Sequence, residues 1–471
     1  MLTYNLDDHD GLPLYESLYR HIRDDILDGT LCPDARLPSK RALAKNLGVS
    51  VITVEGAYRQ LKAEGYIASR ERSGFYVQEI TPHVHAKATT LPHTPPSPAT
   101  YELADFSLAR TTADSSFCRL WEKTLRNVLA NEPESQLFAA QPPRGSLRLR
   151  KAIAAWLSRY RGIDALPEQI IVTAGAPMLY SLIALTCGKS GCVALESPGY
   201  ERLASIYDTM GVSTTFVPLD DEGMDYASLE ASDASLVHIM PSHQFPTGRV
   251  TSVSRRYQML GWASRDKERY IIEDDYDCEF RLSGKPIPAL RSIDAEGKVI
   301  YLSTFSKSLG PSVRIAFGVF PASLNERLEQ LMRCFSSTVG AIDQIALAHL
   351  LESGAYERHV NRYRNKARAT RDQLVEALQN SALSKRLSYE ECDSGLHFVL
   401  GIETHAHGNE IAAHAAEMGV GLMPLERYDL AKTLTHDGKA RFVMQYEGID
   451  QALFTRVADI ICTAVRHAEQ Q

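Results

Sequence analysis

No stretch of the 471 residues stays apolar over the about 18 positions that a bilayer-spanning helix needs, so a membrane protein is not expected. Patterned cysteine is missing too. The eight cysteines are scattered, the closest pair is Cys187 and Cys192, and no Cys-x-x-Cys occurs. Neither a zinc site nor a disulfide framework is expected from that spacing, and the cysteines read as small buried side chains in a reducing cytoplasm. A basic excess is also lacking: 51 Lys and Arg stand against 58 Asp and Glu, a net charge of −7. Any nucleic-acid role must therefore rest on a local patch. The beginning of the chain carries Asp7, Asp8 and Asp10 rather than the basic-then-apolar pattern of a secretory leader. What is present is ample for a buried core, with 44% hydrophobic residues, and too long for one ordinary domain.

Composition divides the chain in three. Residues 1–78 read as short helices and a small hairpin. Residues 79–104 include "TPHVHAKATTLPHTPPSPAT", rich in Pro, Thr and His without apolar period, and read as a linker. Its histidines, His83, His85 and His93, have no fixed geometry and read as solvated, so no metal is expected there. In residues 105–471 short apolar runs recur at Ile170–Val172, Val193–Leu195, Leu236–Met240, Tyr270–Ile272 and Val299–Leu302, with helical segments between several of them. Strands buried on both faces give such runs, which predicts an α/β fold with a largely parallel sheet. "CGKSG", Cys187–Gly191, has part of a phosphate-loop motif but carries Ile183 where that motif needs glycine, and reads as a helix-end turn.

The first segment has the punctuation of a helix-turn-helix. "PLYESLYRHIRDDILDG" aligns Leu18, Ile22 and Ile26 on one face and stops at Gly29. Ser39 caps "KRALAKNLG", Gly48 ends it, and Ser50 caps "VITVEGAYRQLKAEG", whose stripe is Val51, Val54, Tyr58 and Leu61. "YIASRERSGFYV" suits a β wing turning at Ser73–Gly74. Residues 30–78 hold eight Lys and Arg against four Asp and Glu, a local +4. These cations fall on the two helices and the wing, where phosphates would lie.

"LPSKRALAKNLGVS", "TVEGAYRQLKAEGYI" and "SGFYV" resemble the GntR family of winged-helix regulators over residues 12–77. The resemblance implies double-stranded DNA as partner, with Arg41 and Thr53 facing it and Gly74 in the wing. With the local charge, the candidate contacts are Lys40, Arg41, Ser50, Thr53, Arg59, Arg72 and Gly74. Val51 stands where the family usually has arginine, so it either touches a thymine methyl or packs into the core.

In the last segment "VIYLSTFSKSLGPSVR" places Lys307 just past an apolar strand, with Arg314 seven residues on, and "RYIIEDDYDCEFR" ends a strand in acids. Open α/β sheets bind ligands beyond the carboxyl ends of their strands, where Asp274, Tyr276 and Lys307 would converge. A lysine can condense with the aldehyde of pyridoxal 5′-phosphate, a carboxylate can keep its pyridine nitrogen protonated, a phenol can bond its ring oxygen and an arginine can clamp its phosphate.

"PPRGSLRLRKAIAAWL", "IIVTAGA", "ESPGYERL", "PSHQFPTG", "EDDYDCEFR", "STFSKSLGPSVR" and "ARFVMQYEG" resemble the class I aminotransferases of pyridoxal-phosphate fold type I, from about Asp105 onward. That implies a large domain and a small C-terminal α/β domain. It implies an internal aldimine at Lys307, Asp274 at the pyridine nitrogen, Tyr276 at the ring oxygen and Tyr200 stacked on the ring. Thr304, Ser306, Arg314, Gly175 and Ala176 would hold the phosphate, and Arg202 and Arg441 an effector carboxylate. Two departures stand out. "AGAPM" lacks the usual hydroxyl and its Pro177 lacks an N–H. Phe245 takes the place of the asparagine that contacts the ring oxygen, which leaves His243, Gln244 or neither as its substitute.

Together the halves resemble the MocR subfamily of GntR-type regulators. This implies a homodimeric, cytoplasmic transcriptional regulator that senses pyridoxal phosphate or a small amino compound reacting with it. The rival is a true class I aminotransferase with a DNA-binding appendage; a third reading is a scaffold that binds DNA without cofactor.

Overall fold

Ser39 and Ser50 explain why two helices begin where they do. In the computed structural model, the Ser39 hydroxyl accepts the Ala42 N–H at 3.2 Å and the Ser50 hydroxyl accepts the Thr53 N–H at 3.0 Å. Each bond satisfies a donor that an uncapped helix would leave exposed, worth about 1 kcal/mol. The structure describes residues 2–4, 6, 12–80, 101–107, 115–188, 191–282, 288–390, 395–435 and 437–470. The chain divides into two compact units, Met1–Pro98 and Ala99–Gln471.

In the first unit α1 (Leu14–Leu27), α2 (Lys40–Leu47) and α3 (Val51–Ala63) precede a hairpin of β1 (Ile67–Arg70) and β2 (Gly74–Val77). Gly48 ends α2 at φ 67°, a left-handed backbone that favours glycine. Leu18 and Ile22 of α1, Leu43 of α2, and Val54, Tyr58 and Leu61 of α3 are fully buried in one core. Burial of each such aliphatic side chain contributes roughly 1.5–3 kcal/mol. Val51 does not belong to that core: it is 42% exposed, and its neighbour Ile52 is 80% exposed. The first turn of α3 protrudes past the helices it packs on, so the stripe begins at Val54. Packing of Val51 into the core is thereby ruled out.

The stretch 81–100, with His83, His85 and His93, lies outside the described residues. The end of the expected linker belongs to the second unit. The Leu103 N–H donates to the Gly419 carbonyl at 3.0 Å, and β3 (Ala104–Asp105) pairs with a short strand at Val420–Gly421.

The second unit is built on an eight-stranded sheet. Its strands are β4 (Ile170–Thr173), β5 (Cys192–Ser197), β6 (Thr214–Asp220), β7 (Gly223–Met224), β8 (Ala234–Ile239), β9 (Tyr270–Asp274), β10 (Val299–Thr304) and β11 (Ala316–Val319). Their spatial order is β4-β11-β10-β9-β8-β5-β6-β7. β10, β9, β8, β5 and β6 run parallel; β11 is antiparallel to both neighbours, which leaves β4 pointing the same way as β10. Along β9, Tyr270 and Ile272 enter one core and Ile271 the other, so helices cover both faces. The five expected apolar runs fall on β4, β5, β8, β9 and β10.

A smaller sheet of β12 (Leu387–Glu390), β13 (His397–Glu403) and β15 (Lys439–Gln445) is antiparallel; β14 (Val420–Gly421) is the partner of β3. Phe398, Leu400, Phe442 and Met444 fill a core of their own beneath it. Among the described residues no helix is long and apolar enough to cross a membrane.

Candidate functional site

The parallel strands all end at one edge of the large sheet, and the chemistry-bearing side chains gather there. Asp274 is the last residue of β9 and faces Leu302 of β10 in register, so Lys307 follows five residues past its neighbour. Asp274 is 2% exposed, and a carboxylate so buried needs donors or a cation. Tyr180 donates to its Oδ2 at 2.5 Å, and His238 Nε2 stands 3.5 Å from the same oxygen while Nδ1 meets the Tyr207 hydroxyl at 2.9 Å. Burial, then the charge of Asp274, pushes the Tyr180 hydroxyl well above its ordinary range, so it stays a donor.

The turn after β9 is locked from beneath. Asp275 forms a buried ion pair with Arg161 at 2.5 Å and accepts the Tyr301 hydroxyl at 2.7 Å. This fixes Tyr276, which lines one cavity with Lys307, Phe245, His397, Gln445 and Glu447. Burial raises the Glu447 carboxyl to about 7, against the Tyr363 hydroxyl that donates to it and the Lys307 charge.

An anion cradle lies on the other side of Lys307 in sequence. The turn after β4 brings Gly175 to φ 91°, ψ 163°, a region open essentially to glycine, and a helix begins at Ala176. A Cβ on Gly175 would lie 2.5 Å from Nη2 of Arg314, so only glycine lets that guanidinium rest against the turn. Arg314 itself is exposed and open to a ligand. The Thr304 hydroxyl accepts the Ser306 N–H at 3.2 Å, and the Ser306 hydroxyl donates to the Val313 carbonyl at 3.0 Å. Guanidinium, helix N-terminus and hydroxyls together suit a phosphate.

Tyr200 and Phe245 meet edge to face, their ring centres 5.9 Å apart. Gln244 is committed to the loop, donating to the Pro198 and Phe245 carbonyls. His243 is the one that reaches Tyr276, with Nδ1 3.1 Å from the hydroxyl and 2.7 Å from Oδ2 of Asp277. Arg202 is exposed, and Arg441 pairs with Asp437 at 2.6 Å and Glu390 at 3.4 Å. Neither lines the Lys307 cavity; Gln445, four residues past Arg441 on the same strand, does. The motifs gave no sign of Tyr180, His238 or His397, which reach the site from distant parts of the chain; Asp277 and Glu447 stand within "EDDYDCEFR" and "ARFVMQYEG", but no role follows from those stretches alone.

In the first unit Arg41 and Arg59 are exposed on α2 and α3, and Arg72 sits in the wing turn at φ 59° beside Gly74 at φ 114°. Lys40 is ion-paired with Glu55 at 2.6 Å. The Ser50 and Thr53 hydroxyls bond each other at 2.8 Å, so Ser50 serves the cap first.

Residues 14–77 match the family model for bacterial regulatory proteins of the gntR family, and residues 115–444 that for aminotransferase class I and II. Over 439 residues the chain is 31% identical to the probable rhizopine catabolism regulatory protein MocR of Rhizobium meliloti, covering 90% of this chain and 88% of that one. The chain belongs to the MocR subfamily of GntR-type transcriptional regulators. Another relative is the HTH-type pyridoxine biosynthesis transcriptional regulator PdxR of Corynebacterium glutamicum, 35% identical over 415 residues and covering 85% of each chain. An uncharacterized HTH-type transcriptional regulator of Bacillus subtilis, YdeL, is 33% identical over 416 residues, 88% of this chain and 89% of its own. An archaeal alanine:glyoxylate aminotransferase shares the fold of the MocR-type second unit at TM-score 0.67 and 22% identity, covering 78% of this chain and 91% of that one.

Proposed function

We propose that the second unit of this regulator holds pyridoxal 5′-phosphate, and that the cofactor, or an amino compound reacting with it, changes how the winged helix binds a double-stranded DNA operator. The observation that carries this reading is the Gly175–Arg314 cradle, set at the same sheet edge as the buried Asp274 and the cavity shared by Lys307 and Tyr276. These residues fit the cofactor: Arg314, Thr304, Ser306 and the Gly175–Ala176 turn for the phosphate, Asp274 for the pyridine nitrogen, Tyr276 for the ring oxygen and Tyr200 for the ring face. Bound there, the cofactor supplies an aldehyde that condenses with primary amines.

The chain's own part is to hold and to respond. The Tyr180 hydroxyl, donating to Asp274 Oδ2, holds that carboxylate in place for the pyridine nitrogen. With the cofactor bound, Lys307 would be the chain's own amine beside its aldehyde, and a primary amine would compete with it there. A ligand shifts the regulator only if it binds one arrangement better than another, and release of Lys307 supplies that difference. Arg202 and Arg441 remain candidates for an effector carboxylate only if they leave their present surroundings. On the DNA side, exposed Arg41, Arg59 and Arg72 contact phosphates, and Thr53 stands at the start of α3, the recognition helix. A homodimer would present two such heads to two half-sites in the cytoplasm.

The test is absorption spectroscopy. Addition of pyridoxal phosphate to the protein produces a new visible band that is absent from Lys307→Ala; an unchanged spectrum in the native protein would refute cofactor binding. The regulators among its relatives favour this reading over a true aminotransferase. Steady turnover of an amino donor and a keto acid at about 1–1,000 per second, as in ordinary enzymes, would reverse that preference.

A further inference from the structure

The first turn of α3 carries an apolar pair that the fold does not use. Val51 and Ile52 are both exposed, and neither joins the core that Val54, Ala57, Tyr58 and Leu61 enter. Nothing local calls for them there. β-Branched residues are weaker helix formers than straight-chain ones, and the first turn of a helix favours acids, which answer its dipole. Neither side chain has a hydrogen-bonding atom, so neither serves the cap; Ser50 does that.

Two other faces of α3 are taken. On one, α1 packs so closely that a Cβ on Gly56 would lie 3.2 Å from Cβ of Tyr15. On the other, Lys40 of α2 holds Glu55 at 2.6 Å. Ile52 and Leu61 are about two and a half helical turns apart, so Ile52 points directly away from the core that buries Leu61. Arg59, also exposed, stands about two turns past Ile52 on the same outward face. Arg41 and Lys45 of α2 and Lys62 of α3 are exposed as well. A helix that is apolar at its start and cationic along its length is complementary to a DNA major groove. The groove has phosphates along its walls, and the apolar group that its base edges present is the C5-methyl of thymine. The N-terminal residues of a recognition helix are the ones that reach those edges.

We propose that Val51 and Ile52 together read thymine methyl groups in the major groove, and so select thymine at one or two adjacent positions of the operator. The proposal rests on operator binding as proposed above and names what the first turn of α3 recognises there. Guanine and adenine at those positions offer hydrogen-bonding atoms that the pair cannot meet, and cytosine lacks the methyl.

Uracil pairs as thymine does but lacks the methyl, so it isolates the contact. A preferred duplex is first selected from random-sequence DNA with the full-length protein. Its thymines are then replaced by uracil one at a time, and affinity is measured for the native protein and for the double variant Val51→Ser, Ile52→Ser. A methyl buried against aliphatic side chains is worth about fourfold in affinity, so uracil at one or two adjacent positions should each weaken native binding by about that factor. The double variant should bind the thymine and uracil duplexes equally well. Because both side chains are exposed, it should unfold in urea at the native midpoint, which separates lost reading from lost folding. If no uracil weakens native binding by more than about twofold, or if the double variant keeps the native loss, the pair is not the reader and operator binding stands without it. If the native protein enriches no sequence from the random DNA, operator binding fails and the proposal fails with it.

Discussion

Gly175→Ala is the sharpest probe of the anion cradle. The substitution has two costs that the structure separates. Alanine at φ 91°, ψ 163° is strained by about 1–3 kcal/mol, a cost borne with or without ligand. Its Cβ would also stand 2.5 Å from Nη2 of Arg314 and 3.0 Å from its Cζ, so the guanidinium must swing away from the turn. A charge-assisted hydrogen bond is worth about 1.5–3 kcal/mol, so losing Arg314 from the phosphate should weaken the cofactor by roughly 10–100-fold. Arg314→Met removes the same bond without backbone strain, and because Arg314 is exposed it should leave the cofactor-free protein as stable as the native one. The assay is a dissociation constant for pyridoxal phosphate from the visible band, with urea unfolding of the cofactor-free proteins beside it. Both variants should lose affinity, only Gly175→Ala should lose stability, and the double variant should lose little more affinity than either alone. Affinity within twofold of native in Arg314→Met would refute the cradle.

Other outcomes follow from the same geometry. Arg161→Met leaves Asp275 charged and buried with only the Tyr301 hydroxyl, and should cost about 3–5 kcal/mol in urea unfolding; a loss below about 1 would show the pair to be dispensable. Each phosphate contact contributes about 0.9 to the slope of log affinity against log salt, so Arg59→Ala should lower that slope by about 0.9 and Lys40→Ala, already paired with Glu55, by less. Equal slopes in the two variants would contradict that assignment. Glu447 is raised to about 7 in the folded state by burial, while the unfolded carboxyl titrates near its ordinary value of 4.5. Between those pH values the folded state binds the extra proton, so stability should fall as pH rises, by at most about 1.4 kcal/mol per pH unit. Glu447→Gln should flatten that decline, and an unchanged pH–stability profile would count against the buried, protonated carboxyl.

Much of the fold was legible because its signals are local. The Ser39 and Ser50 caps, the Gly48 stop and the apolar runs of five strands each lie within a few residues. β6 gave no such signal because its neighbour β7 is a short edge strand and most of its side chains are only half-buried. β11 is interrupted by Gly318, whose missing side chain makes room for Phe320, Leu302 and Leu179. The helical stripe could not decide between the two places open to Val51, the core or the DNA side, because helical period predicts a direction, not how far the core extends. At the site, Lys307, Asp274, Tyr276 and Arg314 carry their chemistry in short motifs. Tyr180 lies 94 residues from Asp274 and His243 lies 34 from Asp277, so only the closed sheet edge could pair them. The arginines offered for a carboxylate show the converse limit: Arg441 shares a strand with Gln445, but only Gln445 reaches the cavity.

The central claim is that chemistry at Lys307 is read out at the DNA. Operator affinity should be measured for the native protein and Lys307→Ala, each with and without pyridoxal phosphate and with a panel of primary amines. The account predicts that at least one of these ligands shifts native affinity by about tenfold, or 1.4 kcal/mol of coupling, and that Lys307→Ala binds the operator without that shift. A Lys307→Ala protein that responds as the native one does would contradict it.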